Sequence, residues 1–189
     1  MILLSANEQE SGVDDKKNRK NNEQKRAKHA LKMIRKLKDI DQNPASEMKK
    51  PPLYGNFRAY VENLPTTIVM NGLGQAMATE LASARFGDGD ILKGNCDLSE
   101  LIKVLQNPAK GGRNADERAH EVLFCIVQDW LLQGSGVYSE NEGLMDAIVG
   151  GNQDKYVRAQ AEALAYLVWL KKFSQAFLRK GGQGERNEQ

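Results

Sequence analysis

Apolar side chains in this chain recur at helical spacing wherever they recur at all. Ala27, Ala30, Leu31, Ile34 and Leu37 follow i, i+3, i+4, i+7 intervals, which predicts an amphipathic helix. A second helix carries Phe57, Tyr60, Val61 and Leu64. A third is expected from about Pro65 to Ala84, with Ile68, Val69, Met77 and Leu81 on its apolar side and Pro65 in its first turn. After Phe86 the run GDGD signals a loop. A short helix should open at Asp97 with Asp-x-x-Glu (Glu100) and stop before Asn107-Pro108. The loop AKGGRN then leads into a helix from about Ala115 to Gln133, with Ala119, Val122, Leu123, Ile126 and Trp130 facing inward, broken by Gly134 and Gly136. Ser139-x-x-Glu142 is expected to open another, bearing Leu144, Met145 and Ile148 and ended by Gly150-Gly151. The last helix, about Gln153 to Lys180, is apolar on almost every side near Tyr166–Leu170, the pattern of a helix central to a bundle or half-covered by a partner. No segment alternates with period two over a useful length. The fold class expected is therefore all-α, a compact bundle of six or seven helices with disordered N- and C-terminal tails.

The polar stretches set the boundaries. Residues 1–22 have no apolar period and contain the run DDKKNRKNN, so they read as a disordered basic arm. Residues 23–180 form the helical domain and 181–189 a second disordered tail. A chain of 189 residues suits one core of this kind. The longest apolar run, Ala163 to Leu170, falls far short of the ~20 residues that a membrane span needs, and the opening Ile2-Leu3-Leu4 is too short for a signal peptide. A cytoplasmic location is expected.

Net charge is only +2, but it is unevenly placed. Lys16 to Lys38 holds eleven Lys/Arg against one acid, Glu23, whereas Asp39 to Leu170 holds eleven against eighteen acids. Within the first helix Lys25, Lys28, Lys32, Arg35 and Lys36 stay inside a sector of roughly 100° opposite the apolar residues. That is a basic stripe of the kind that faces phosphates, or a solvated face beside a polar tail. Lys171, Lys172, Arg179 and Lys180 make a second basic cluster with no acid among them.

Candidate chemistry is sparse. The run NGLGQ (Asn71 to Gln75) lacks the third glycine of a dinucleotide loop, since position 77 is Met, and no strand precedes it. Gly72 and Gly74 are expected to serve close helix packing or a helix bend. Asp88 and Asp90 in GDGD have no third oxygen ligand nearby and read as a solvated turn. His29 and His120, the only histidines, sit in no nucleophile motif, and with Cys96 and Cys125 they make no zinc site. The two cysteines lie in no paired motif and read as buried, inert thiols. Trp130, Tyr156, Tyr166, Trp169, Phe173 and Phe177 could stack bases, but their helical spacing favours the core. No catalytic residue, metal or cofactor is expected, and the chain is not expected to be an enzyme.

Three segments carry a resemblance. EQKRAKHALKMI (Glu23 to Ile34), YVENLPTTIVMNGLGQAMA (Tyr60 to Ala78) and YVRAQAEALAYLVWLKKFSQAF (Tyr156 to Phe177) resemble signatures of the small subunit of the type III-B CRISPR–Cas (Cmr) effector complex. VQDWLL (Val127 to Leu132) fits a weaker fourth position, and the likeness spans about residues 22–180. It implies a non-catalytic structural subunit in antiviral defence. Such subunits stack with further copies of themselves beside the backbone subunits, touch the large polymerase-like subunit, and line the channel where guide RNA pairs with target RNA. On that reading Lys25, Lys28, Lys32, Arg35, Lys36, Lys171, Lys172, Arg179 and Lys180 are the RNA-binding candidates. The alternative is a helical protein–protein adaptor without direct RNA contact. The first 22 residues extend beyond the usual start of this family, and Glu80 to Lys93 fits its pattern poorly.

Overall fold

The computed structural model describes residues 11–39, 50–85, 101, 114–139 and 143–178, with side chains from Asn22 onward in the first stretch and from Leu53 onward in the second. Among these residues there are six α-helices and no strand. They are α1 (Ser11–Asp39), α2 (Lys50–Asn71), α3 (Leu73–Ser83), α4 (Ala115–Asp129), α5 (Leu144–Gly150) and α6 (Gln153–Phe177). No helix among the described residues is long and apolar enough to cross a membrane.

The apolar stripe of α1 behaves as its spacing predicts: Ala30, Met33, Ile34 and Leu37 are buried and pack the helix chiefly against α6. The helix itself starts at Ser11, well before its first apolar period. In α2, Leu53, Phe57, Val61, Leu64 and Ile68 form one continuous buried row against α4 and α6.

Here the structure corrects the expected boundary, because α2 runs straight through Pro65. Proline removes one backbone hydrogen bond from the helix. Leu64 and Ile68, fully buried on either side of it, hold the helix across that gap. The break falls instead at Gly72, whose φ of 84° and ψ of 159° end α2 and redirect the chain into α3. The apolar period restarts after the turn with Leu73, Ala76 and Met77. Val69, expected in the core, is consequently 70% exposed.

The centre of the bundle is α4, not α6. Every residue from Glu121 to Gln128 is buried, while α6 leaves Val157, Val168 and Phe177 exposed. A capping box starts α4: the Asn114 side chain accepts from the amides of Asp116 and Glu117, both at 2.9 Å, and Glu117 accepts from the Asn114 amide at 3.1 Å. The helix ends in a single π-helical turn, Trp130–Gly134, closed by the Ser135 amide on the Trp130 carbonyl at 2.7 Å. This is where glycines were expected to break it. Helix α5 opens after Gly143 rather than at Ser139, which lies outside the helix. Asn152 caps α6 by accepting from the Lys155 amide at 2.9 Å.

Cys125 is fully buried but disulfide-bonded, not the free thiol expected, because sequence spacing carries no information on what folding brings against it. Cys96, Asp88, Asp90, Arg179, Lys180, residues 1–10 and the tail 181–189 lie outside the described residues, whereas residues 11–22, expected to be part of a disordered arm, belong to α1. So does the helix expected at Asp97, except for Leu101, which is helical and buried.

Candidate nucleic-acid interface

Helix α1 presents three kinds of surface, and the burial of Ala30, Met33, Ile34 and Leu37 fixes which is which. Directly opposite that row, Lys25, Lys28, Lys32 and Arg35 are all exposed. None of these four forms an ion pair with another described residue. Lys36, at the edge of the stripe, is half-buried and already engaged by a neighbouring group. Among the described residues, the outward face is therefore four cations without an ion-pair partner over about three turns of helix.

N-terminal to the apolar row, the inward face of α1 turns polar and is committed to the protein. Arg26 belongs to the same basic run, yet its guanidinium grips Glu162 on α6 with two bonds of 2.8 and 2.7 Å and reaches Glu23 at 2.7 Å. Bidentate pairing of this kind fixes orientation as well as position. Glu23 also accepts from the Trp169 indole N–H at 2.8 Å. That bond, reinforced by the Arg26 and Lys172 charges, holds the Glu23 carboxyl below the usual carboxylate range. Three turns of two helices are thus locked without using any cation of the outward stripe.

His29 supplies a second pin. Its Nδ1 lies 2.8 Å from the Tyr166 hydroxyl and its Nε2 2.7 Å from Asp129 at the end of α4. A neutral imidazole satisfies both partners, accepting from Tyr166 and donating to Asp129. Complete burial, with the Asp129 charge as a lesser cause, keeps the Tyr166 hydroxyl well above the ordinary phenol range. Trp130 stacks on Tyr166 with centroids 4.9 Å apart and packs 5.1 Å from the His29 ring. The group joins α1, α4 and α6.

His120 sits half-buried at the boundary of the core. It pairs with Glu80 at 2.7 Å and stacks on Tyr60 with centroids 3.8 Å apart, while the Tyr60 hydroxyl donates to Asp116. Burial raises Glu80 despite the opposing pull of His120. Tyr60 is pushed up to about 12 by burial and then by Asp116. These contacts tie α2 and α3 to α4.

The NGLGQ run is a bend, as one of its two expected roles had it. The backbone amides a phosphate would require are taken: Leu73 N–H donates to Gln160 at 3.1 Å and Gly74 N–H to the Tyr156 hydroxyl at 3.2 Å.

The second basic cluster is not one surface. Lys171 turns toward α2 and pairs with Glu62 at 2.8 Å, while Lys172 lies with its Nζ 5.3 Å from the centre of the Trp169 ring. Both Lys171 and Glu62 are substantially solvated, so their pair contributes ~0–1 kcal/mol and competes poorly with a polyanion. Of the aromatic residues expected in the core, Trp130 and Tyr166 are there. Tyr156, Trp169 and Phe173 are half-buried and Phe177 is 42% exposed.

Residues 22–177, from the described side chains of α1 to the end of α6, match the family described as CRISPR-associated protein (Cas_Cmr5).

Proposed function

Because the chain belongs to the Cas_Cmr5 family, the small subunit of the type III-B Cmr complex, we propose that it is a non-catalytic structural subunit whose α1 face lines the channel where guide RNA pairs with target RNA. It acts in the cytoplasm, in antiviral defence, beside the backbone subunits and the large polymerase-like subunit and alongside further copies of itself. One observation carries this reading. Lys25, Lys28, Lys32 and Arg35 form an exposed row with no ion pair to another described residue, beside a cation of the same run, Arg26, that is locked against Glu162 and Glu23. Lys and Arg arranged in that way hold phosphates without reading bases, which suits a subunit that must accept any guide sequence. Lys36, Lys171 and Lys172, and Arg179 and Lys180 beyond the described residues, remain secondary candidates on the same reasoning.

The adaptor reading draws on a different observation: Val69, Met70 and Val149 are among the most exposed large apolar side chains described. Such residues suit protein partners. The two readings part on salt. In reconstituted complex, the Lys25→Ala/Lys28→Ala/Lys32→Ala variant is expected to bind target RNA more weakly, with a shallower dependence of log affinity on log salt. Each lost phosphate contact should reduce the slope by ~0.7 for a single strand and ~0.9 for a duplex. The fold should be unaffected to within ~0.5 kcal/mol, since all three side chains are exposed. Unchanged affinity and slope at every salt concentration would leave the adaptor reading standing.

A further inference from the structure

Along α6, Trp169, Phe173 and Phe177 lie at i, i+4 and i+8, on the flank of the buried row formed by Tyr166, Leu167, Leu170 and Ser174. Their rings form a ladder, with centroids 5.7 Å apart for Trp169 and Phe173 and 6.2 Å apart for Phe173 and Phe177. The ladder is most accessible at the helix end, where Phe177 is 42% exposed while Trp169 and Phe173 are half-buried. We propose that this strip, with Lys172, is a stacking platform for unpaired bases of single-stranded RNA.

Three features argue for that occupant. The Trp169 ring is held in place by its N–H bond to Glu23 and is therefore pre-set before any ligand arrives. Lys172, exposed beside the ladder with its Nζ 5.3 Å from the centre of the Trp169 ring, supplies a cation for a neighbouring phosphate. Glu23, the carboxylate bonded to the ladder, is already engaged by the Trp169 N–H and the Arg26 guanidinium. A face of rings beside a cation matches a polyanion that carries aromatic bases. Paired bases expose no ring faces along a duplex, so the ligand is single-stranded.

This rests on the RNA-facing reading of α1 but can fail independently of it. Binding of the full-length protein would be followed by fluorescence anisotropy with an oligouridine strand and with an abasic ribose–phosphate strand of equal length. The wild type is expected to prefer oligouridine by about five- to a hundredfold, the range that one base–ring contact supplies. Phe173→Leu/Phe177→Leu keeps apolar bulk and removes two of the three rings, leaving Trp169 in place. It should reduce that preference severalfold and leave abasic binding unchanged. Lys25→Ala/Lys28→Ala/Lys32→Ala should instead weaken both ligands alike. If this basic variant binds both as the wild type does while the ring-dependent preference persists, the α1 reading fails and the platform stands. Equal wild-type affinity for the two strands overturns the platform, as does a preference that the Phe173→Leu/Phe177→Leu variant leaves undiminished, or no measurable binding of oligouridine. Loss of partner Cmr subunits from the ring variant with RNA binding intact would likewise overturn it, in favour of a protein-docking face.

Discussion

Replacing Gly72 with alanine is expected to destabilise the protein by about 3 kcal/mol and to lower its thermal midpoint by roughly 6–12 °C. Two separate effects add. At φ 84° and ψ 159° the backbone occupies a region essentially closed to residues with a β-carbon. A β-carbon placed there would also stand 2.6 Å from the Tyr156 hydroxyl, and that hydroxyl accepts the Gly74 amide. Moving the tyrosine aside would strip a partner from the first turn of α3. Tyr156→Phe separates the two contributions, since it removes the atom that would be struck and leaves the backbone strain. Gly72→Ala should therefore cost less in the Tyr156→Phe background than in the wild type. A midpoint unchanged by Gly72→Ala would mean that the bend between α2 and α3 is not set by this residue.

That bend also shows where sequence reading succeeds and where it stops. A helix of period 3.6 announces its buried side, so Ala30, Ile34 and Leu37 in α1, and Val122, Leu123, Ile126 and Trp130 at α4 and its final turn, were legible and are buried. The outward position of Lys25, Lys28, Lys32 and Arg35 follows from the same arithmetic, being the complement of an apolar row. The helix boundary at Pro65 was misplaced because proline propensity is local, whereas burial of Leu64 and Ile68 on both sides is a tertiary effect. Ser139-x-x-Glu142 has the spacing of a cap, yet the helix starts at Leu144.

The pins of α1 had no sequence signal. Arg26 meets Glu162 across 136 positions, and His29 meets Asp129 across 100. Arg26 looks like every other cation of its run until the fold brings Glu162 beside it. The reverse holds on α6, where Lys171 and Lys172 look like a pair in sequence. A step of 100° per residue sends one toward Glu62 and the other over Trp169. Adjacent charges on a helix seldom make one surface, whereas charges spaced three and four apart do.

Replacing Gly134 with alanine is the other large effect expected, and it reports on the node that seats α1. Gly134 closes the π-helical turn after α4, and the Trp130 ring lies directly across it. An added β-carbon would fall 2.2 Å from one ring carbon and 2.6 Å from the next, far inside the ~3.5–4.0 Å at which carbons attract. The ring has nowhere to go. It is stacked on Tyr166 with planes 8° apart, and Tyr166 holds His29 at 2.8 Å. Overpacking a core of this kind costs ~1–3 kcal/mol, and the high end applies because ring, tyrosine and histidine must shift together. The expected result is a loss of about 3 kcal/mol in denaturant unfolding with an altered tryptophan near-ultraviolet signal. Trp130→Leu is the discriminating background. With the indole gone, Gly134→Ala should become nearly neutral, giving a coupling energy of about 3 kcal/mol in the double-mutant cycle. If alanine at 134 is equally damaging in both backgrounds, the penalty comes from the backbone of the turn and not from the ring. If it is harmless in the wild type, Trp130 does not lie across Gly134 in solution, and the seating of α1 through His29 and Tyr166 loses its foundation.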